Sequence, residues 1–152
     1  GTTFSIEDID VRDVIESACD DIAYIDTKHI TFEYSLQPTI IQANMNLIYI
    51  VINNLLSNAV KYSNEGAKIY VSCGEKDGKS YIRIQDEGCG IEKENISKIF
   101  ESFYREKKDR NAEGFGLGLS QAMKIAELYG GGIYVESTKN KGSIFTFFIP
   151  KP

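Results

Sequence analysis

Between Asn44 and Ser63, the apolar residues Ile48, Val51, Ile52, Leu55 and Ala59 recur every three or four positions, the period of a helix with one buried stripe. At 3.6 residues per turn Asn54, Asn58 and Lys61 fall on a second stripe beside it, with Tyr62 at its edge. The spacing predicts a helix from about Asn46 to Tyr62. Asparagine is a mediocre helix former and a half-buried amide must find partners. The flank therefore reads either as solvated surface with two incidental amides or as the wall of a polar site. Upstream, Ile9, Val11, Val14, Ile15, Ala18, Ile22 and Ala23 predict a helix from about Val11 with Asp10 as its N-cap, after a short strand at Phe4 to Ile6.

Elsewhere the period falls to two. His29 to Tyr34 alternates Ile30, Phe32 and Tyr34 with polar neighbours and is expected as a half-buried strand. Leu36-Gln37-Pro38 turns the chain into a second strand, Thr39 to Ala43. Lys68 to Cys73 and Ser80 to Gln85, joined through Asp77-Gly78, predict an antiparallel hairpin. Ile133 to Ser137 and Ser143 to Ile149 predict two more strands, joined by Lys139 to Gly142. A helix over Ser120 to Tyr129 ends at Gly130-Gly131-Gly132, whereas Arg105 to Glu113 is polar, aperiodic and expected to be mobile. The sum is an α+β fold: a two-layer sandwich whose mixed, mostly antiparallel sheet of about five strands packs against about three helices.

The 152 residues suffice for one domain with a real core. A net charge of -5 argues against non-specific affinity for nucleic acid or an anionic membrane, so any bound phosphate must be held by local geometry. Three cysteines far apart, Cys19, Cys73 and Cys89, suggest neither a disulfide framework nor a cysteine-ligated metal, and a reducing compartment is the default. No apolar run approaches the ~20 residues of a membrane span, and the given residues do not open on a basic-then-apolar signal segment. The abrupt start at Gly1-Thr2-Thr3 is expected of a fragment.

Two glycine motifs carry candidate chemistry. Asp86-Glu87-Gly88-Cys89-Gly90 leaves a strand. Alternate glycines let a backbone approach a ligand closely, and the aspartate can accept a hydrogen bond from an exocyclic amine; a plain Asp/Gly turn has the same sequence. Gly114-Phe115-Gly116-Leu117-Gly118-Leu119 precedes a helix, where the first backbone N–H groups are open to an anion; a flexible hinge is the alternative. Neither the dinucleotide-binding nor the Walker pattern is present.

Taken together and in order, Asn54 to Tyr62 (Asn-x-x-x-Asn-Ala-x-Lys-Tyr), Asp86 to Gly90, Phe100 to Arg105 (Phe-x-x-Phe-Tyr-Arg) and Gly114 to Leu119 resemble the four boxes of the catalytic, ATP-binding domain of sensor histidine kinases. That family belongs to the GHKL group with gyrase B and MutL, and shares the Bergerat fold. Gly131 to Ser137 and Gly142 to Pro150 resemble its last strands, so the likeness covers nearly the whole chain as a single catalytic domain.

The resemblance implies ATP and Mg²⁺ as cofactors. It implies that Asp86 binds the adenine amino group and that Gly88, Gly90 and Ile91 line the base. Asn58 would hold Mg²⁺, with Asn54 beside it; Lys61 would neutralise phosphate charge and Tyr62 lie along the nucleotide. Tyr104 and Thr146 would add contacts, while Arg105 would sit near the phosphates or at the contact with the phospho-acceptor domain. Gly114, Gly116 and Gly118 would let a lid over 106–113 close, with backbone contacts from Leu117 and Leu119. Asn54, Lys61 and Arg105 are the implied catalytic group.

The implied partners are a histidine-bearing helical dimerisation domain, absent from this chain, and a response regulator receiver domain. Neither nucleic acid nor direct membrane contact is implied, and the location is that of a cytoplasmic domain of a membrane-bound sensor. Relatives that hydrolyse ATP usually carry a glutamate where Asn54 stands, and an amide cannot act as a general base. Slow hydrolysis and transfer to a competent nucleophile are therefore expected. The single histidine, His29, lies in a predicted strand and lacks the helical setting of the family's acceptor. A nucleotide-dependent binding module without useful transfer, and another GHKL ATPase or protein-serine kinase, are the alternatives. Asn54 and the Phe100 to Arg105 box disfavour the last.

Overall fold

A computed structural model describes residues 5–101 and 118–151. The first strand, β1, is Glu7–Asp10, later than the stretch expected from Phe4 to Ile6. It runs into α1, Val11–Ile25, where the Asp10 carboxylate accepts the Arg12 N–H at 3.1 Å and pairs with its guanidinium. That satisfies one of the helix's free N–H groups. The central helix α2 is Met45–Lys61, N-capped by Asn44, whose Oδ1 accepts the Leu47 N–H. α3 is Gly118–Leu128. Its end is closed by Gly130 at φ +77 and by Gly131 N–H donating to the Ala126 carbonyl.

Strands β2 (Thr31–Leu36), β4 (Lys68–Lys76), β5 (Lys79–Asp86), β6 (Gly132–Thr138) and β7 (Gly142–Pro150) form one sheet in the order β2-β4-β5-β7-β6. Only the β2–β4 pair is parallel. The predicted hairpin closes on two residues, Asp77 at φ 52 and Gly78 at φ 76, the left-handed pair that matches strand twist. β3 (Ile40–Ala43) instead pairs with β1 in a separate antiparallel ribbon.

His29 does not belong to a strand. Its φ is +56, because the Asp26 carboxylate accepts the N–H groups of both Lys28 and Ile30 and bends the chain between them. β2 starts two residues later.

One sheet face carries Ile69, Val71, Ile82, Ile84, Phe145 and Phe147, all buried. The helices lay their apolar stripes over it, with Val14 and Ala18 from α1, Ile52, Leu55 and Ala59 from α2, and Ala122 and Ala126 from α3. Leu55 has no exposed surface, and truncating such a side chain to alanine costs about 2–5 kcal/mol. This burial fixes the rotation of α2 and so presents its asparagine stripe at the edge of the core. Among the described residues no helix is long and apolar enough to cross a membrane.

Candidate functional site

Asn54 and Asn58 sit one turn apart on α2, both half-buried. Gly118, the first residue of α3, packs on the Asn54 side chain: a Cβ built there would lie 3.1 Å from Asn54 Oδ1. Asn54 Nδ2 is buried with no hydrogen-bond partner among the described residues. An orphaned buried donor costs about 1–3 kcal/mol, a cost the fold carries at Asn54. A turn beyond Asn58, α2 ends in exposed Lys61, whose Nζ lies 5.3 Å from the centre of the half-buried Tyr62 ring.

Asp86, at the end of β5, is only 4% exposed and accepts the Gly88 N–H at 2.8 Å. Burial pushes its carboxyl above the usual carboxylate range, opposed by the N–H groups of Gly88 and Ser143. The loop that follows is gripped from two sides. A Cβ on Gly88 would lie 2.2 Å from the Tyr62 carbonyl oxygen, so only glycine lets the end of α2 come this close. Gly90 has φ +71, and its Cβ would meet the Thr138 carbonyl at 2.1 Å. The Ile91 N–H donates to Ser137 Oγ at 2.8 Å; that hydroxyl donates to the Gly142 carbonyl and lies 2.8 Å from Ser143 Oγ.

The structure thus brings Asn54, Asn58, Lys61, Tyr62, Asp86, Gly88, Gly90, Ile91 and Gly118 into one continuous region, with half-buried Leu119 packed on the core beside it. Thr146 does not join them. Buried positions along β7 are Ser143, Phe145, Phe147 and Ile149, so Thr146 lies on the outer face opposite Arg83. Ser143 is the β7 residue in register with Asp86. Its signal in the sequence is a hydroxyl on an otherwise apolar alternation, and with Ser137 it is an addition to the residues named from the sequence. Tyr104, Arg105, Gly114, Gly116 and Leu117, and the expected lid over 106–113, lie outside the described residues. The described residues hold no group of three or more His, Cys, Asp and Glu side chains fit for a metal. The Asn58 amide offers one hard oxygen donor to this region, which suits a cation that keeps most of its ligands as water and phosphate.

Residues 43–152 match the family model described as histidine kinase-, DNA gyrase B- and HSP90-like ATPase. The chain belongs to this family. Its kinship within it is with histidine kinases. It is 38% identical over 114 residues to the sensor histidine kinase WalK of Bacillus subtilis, covering 72% of this chain and 19% of that protein. It is 43% identical over 114 residues to the adaptive-response sensory kinase SasA of Rippkaea orientalis, covering 74% and 29%. The chain therefore spans less than a third of the length of these relatives. Among solved structures, a mycobacterial sensor histidine kinase, MprB, superposes with a TM-score of 0.86 at 25% identity, covering 97% of this chain and 99% of that one. The catalytic domain of histidine kinase ThkA does so at 0.85 and 28%, with 97% of each covered. The fold of this ATPase-family domain is that of histidine kinase catalytic domains.

Proposed function

We propose that this domain binds Mg-ATP and transfers the γ-phosphoryl group to a histidine on a separate helical dimerisation domain, from which a response regulator receiver would take it. The observation that carries the reading is the pairing of a buried carboxylate, Asp86, on a glycine loop with an orphaned amide, Asn54 of α2, against which the start of α3 packs. Ionised Asp86 only accepts hydrogen bonds. It would receive the exocyclic amine of adenine, and would leave a base that presents a carbonyl there facing unpaired charge. Gly88, Gly90 and Ile91 form the backbone surface against which the base lies, and Tyr62 borders it.

Asn54 Nδ2 would donate to a phosphate oxygen or its water. Asn58 is the residue that would hold Mg²⁺, which neutralises phosphate charge when bound. Lys61 brings a cation on a flexible stem, and the first turn of α3, at Gly118 and Leu119, would turn backbone N–H groups to the phosphates. In the step itself an imidazole nitrogen forms the N–P bond while the γ-phosphorus–oxygen bond breaks and ADP leaves. A neutral imidazole needs no base to attack, which suits a site where the amide of Asn54 stands in place of the glutamate of ATP-hydrolysing relatives. Roles for Tyr104, Arg105, Gly114, Gly116 and Leu117 rest on the family resemblance. A cytoplasmic position within a membrane-bound sensor likewise rests on the family resemblance.

The test is transfer of labelled phosphate from Mg-ATP to the helical domain of the parent protein supplied in trans, with Asp86→Asn as control. Acid-labile label that requires Asp86 is the expected result. Binding of Mg-ATP without label would turn the reading to a nucleotide-dependent binding module.

A further inference from the structure

We infer that Lys28 is a positioning residue for the nucleotide site, holding the end of α2 so that Asn58, Lys61 and Tyr62 meet the Asp86 loop; the inference rests on the function proposed above. A helix leaves its last four carbonyls without intrahelical partners. At the end of α2 each of these finds one. The Asn58 carbonyl accepts the Tyr62 N–H at 3.3 Å and the Ala59 carbonyl accepts Ser63 Oγ at 2.7 Å. The other two converge on one side chain from a remote loop: Lys28 Nζ donates to the carbonyls of Val60, which also accepts the Ser63 N–H at 3.1 Å, and of Lys61, both at 2.9 Å, and to that of Ser63 at 3.0 Å. An ammonium has three protons, and here all three are committed to one turn of backbone. Its charge also lies where the helix dipole is negative.

The carbonyl between those of Lys61 and Ser63 belongs to Tyr62, and it is the group pressed against Gly88. Lys28 therefore grips the backbone on both sides of the contact that sets the height of the Asp86 loop. The lysine is itself held. Its own N–H donates to Asp26 at 2.9 Å and its carbonyl accepts the Gly66 N–H at 2.7 Å, while Thr31 N–H donates to the Ala67 carbonyl. The loop before β2 and the loop after α2 form one clasp, and the nucleotide-facing end of the helix is fixed between the clasp and Gly88.

The test uses Lys28→Met, which keeps the length of the stem and removes the donors, with Lys28→Arg beside it. In Lys28→Met the Kd for Mg-ATP, by calorimetry, is expected to rise about tenfold, the scale of a sub-ångström displacement of positioning groups. Lys28→Arg, which keeps charge and donors, should recover most of that affinity. Amide resonances of Tyr62 and Gly88 should shift in folded, nucleotide-free Lys28→Met, a readout that simple loss of stability does not move. If Lys28→Met fails to fold, the wild-type chain still decides. Saturating Mg-ATP should slow hydrogen exchange at Gly66, which lies in the clasp and outside the proposed nucleotide contacts, because coupling between sites is reciprocal. Wild-type affinity in Lys28→Met, unmoved Gly88 and Tyr62 resonances, or unchanged exchange at Gly66 would each overturn the inference. Failure of the wild-type chain to bind Mg-ATP would instead refute the proposed function, and the resonance shifts would then test the clasp alone.

Discussion

Replacing Gly88 by alanine tests the junction between α2 and the Asp86 loop. The added Cβ would lie 2.2 Å from the Tyr62 carbonyl oxygen, 2.9 Å from its carbon and 3.0 Å from Asp86 Oδ1. Ordinary carbon–oxygen contact is about an ångström longer than the first of these, and two of the three neighbours are backbone, so no rotamer change relieves the overlap. Forcing a methyl into such a place costs about 1–3 kcal/mol. The loop must also move, straining the Gly88 N–H bond to the Asp86 carboxylate, worth about 1.5–3 kcal/mol as a charged hydrogen bond. The smaller entropy of alanine in the unfolded chain offsets about 0.4–1 kcal/mol.

A net loss of about 2–5 kcal/mol follows, or roughly 4–20 °C in Tm for a domain of this size. The control is Gly66→Ala: φ there is +76 but nothing stands within 4 Å of the new Cβ, so only the left-handed backbone is penalised, about 1–2 kcal/mol. Urea unfolding of the three proteins, followed by Mg-ATP calorimetry, measures both quantities. Gly88→Ala within 0.5 kcal/mol of wild type, or no worse than Gly66→Ala with nucleotide affinity intact, would refute the close-packed junction.

Asp86→Asn should abolish Mg-ATP binding while the nucleotide-free domain unfolds at the same or a higher temperature at pH 7. The folded-state pKa of Asp86 is raised, so its contribution to stability is present below the unfolded value and lost as pH rises through the folded one. Because the ionised carboxylate is the proposed acceptor, wild-type affinity should fall as pH is lowered, beginning above the ordinary carboxylate range, as calorimetry across a pH series would reveal. His29→Gly should be neutral or stabilising by up to about 1 kcal/mol in thermal unfolding, since it removes a left-handed non-glycine residue whose side chain is 81% exposed and makes only a loose contact with Glu65. Asn44→Ala should cost about 1–2 kcal/mol in urea, because Asn44 Oδ1 caps α2 and its Nδ2 ties the Ser5 carbonyl to that helix.

What could be read from the sequence was what has a local, periodic cause. The stripe Ile48, Val51, Ile52, Leu55, Ala59 located α2 to within a residue at each end, and alternation located β4, β5, β6 and β7. His29 was drawn into a strand because parity alone cannot register the paired hydrogen bonds to Asp26 that turn the chain there. The β1–β3 ribbon was hidden because its partners are some thirty residues apart and each strand has only four residues. Thr146 and Ser143 were separable in principle, since a strand's faces alternate and Asp86 lies on the buried one. Lys28 left no trace at all: its partners are main-chain carbonyls 32, 33 and 35 residues away, and carbonyls are the same in every sequence.

That contrast bears on how the site is held together. Asn54, Asn58 and Lys61 follow one another along a single helix that Tyr62 caps, so their mutual spacing is inherited from α2 and survives most substitutions. Their registry with Asp86 is different, because it depends on three backbone contacts that no periodicity enforces: Tyr62 against Gly88, Thr138 against Gly90, and Lys28 across the end of the helix. Both unfavourable groups of the site lie on either side of that registry, the orphaned Asn54 amide on α2 and the desolvated Asp86 carboxylate on β5. Letting the junction relax would allow water to reach each of them and would relieve both costs. The close contacts at Gly88 and Gly90 and the three-carbonyl clasp at Lys28 oppose that relaxation, keeping the two groups short of partners until a ligand supplies an acceptor to one and a donor to the other.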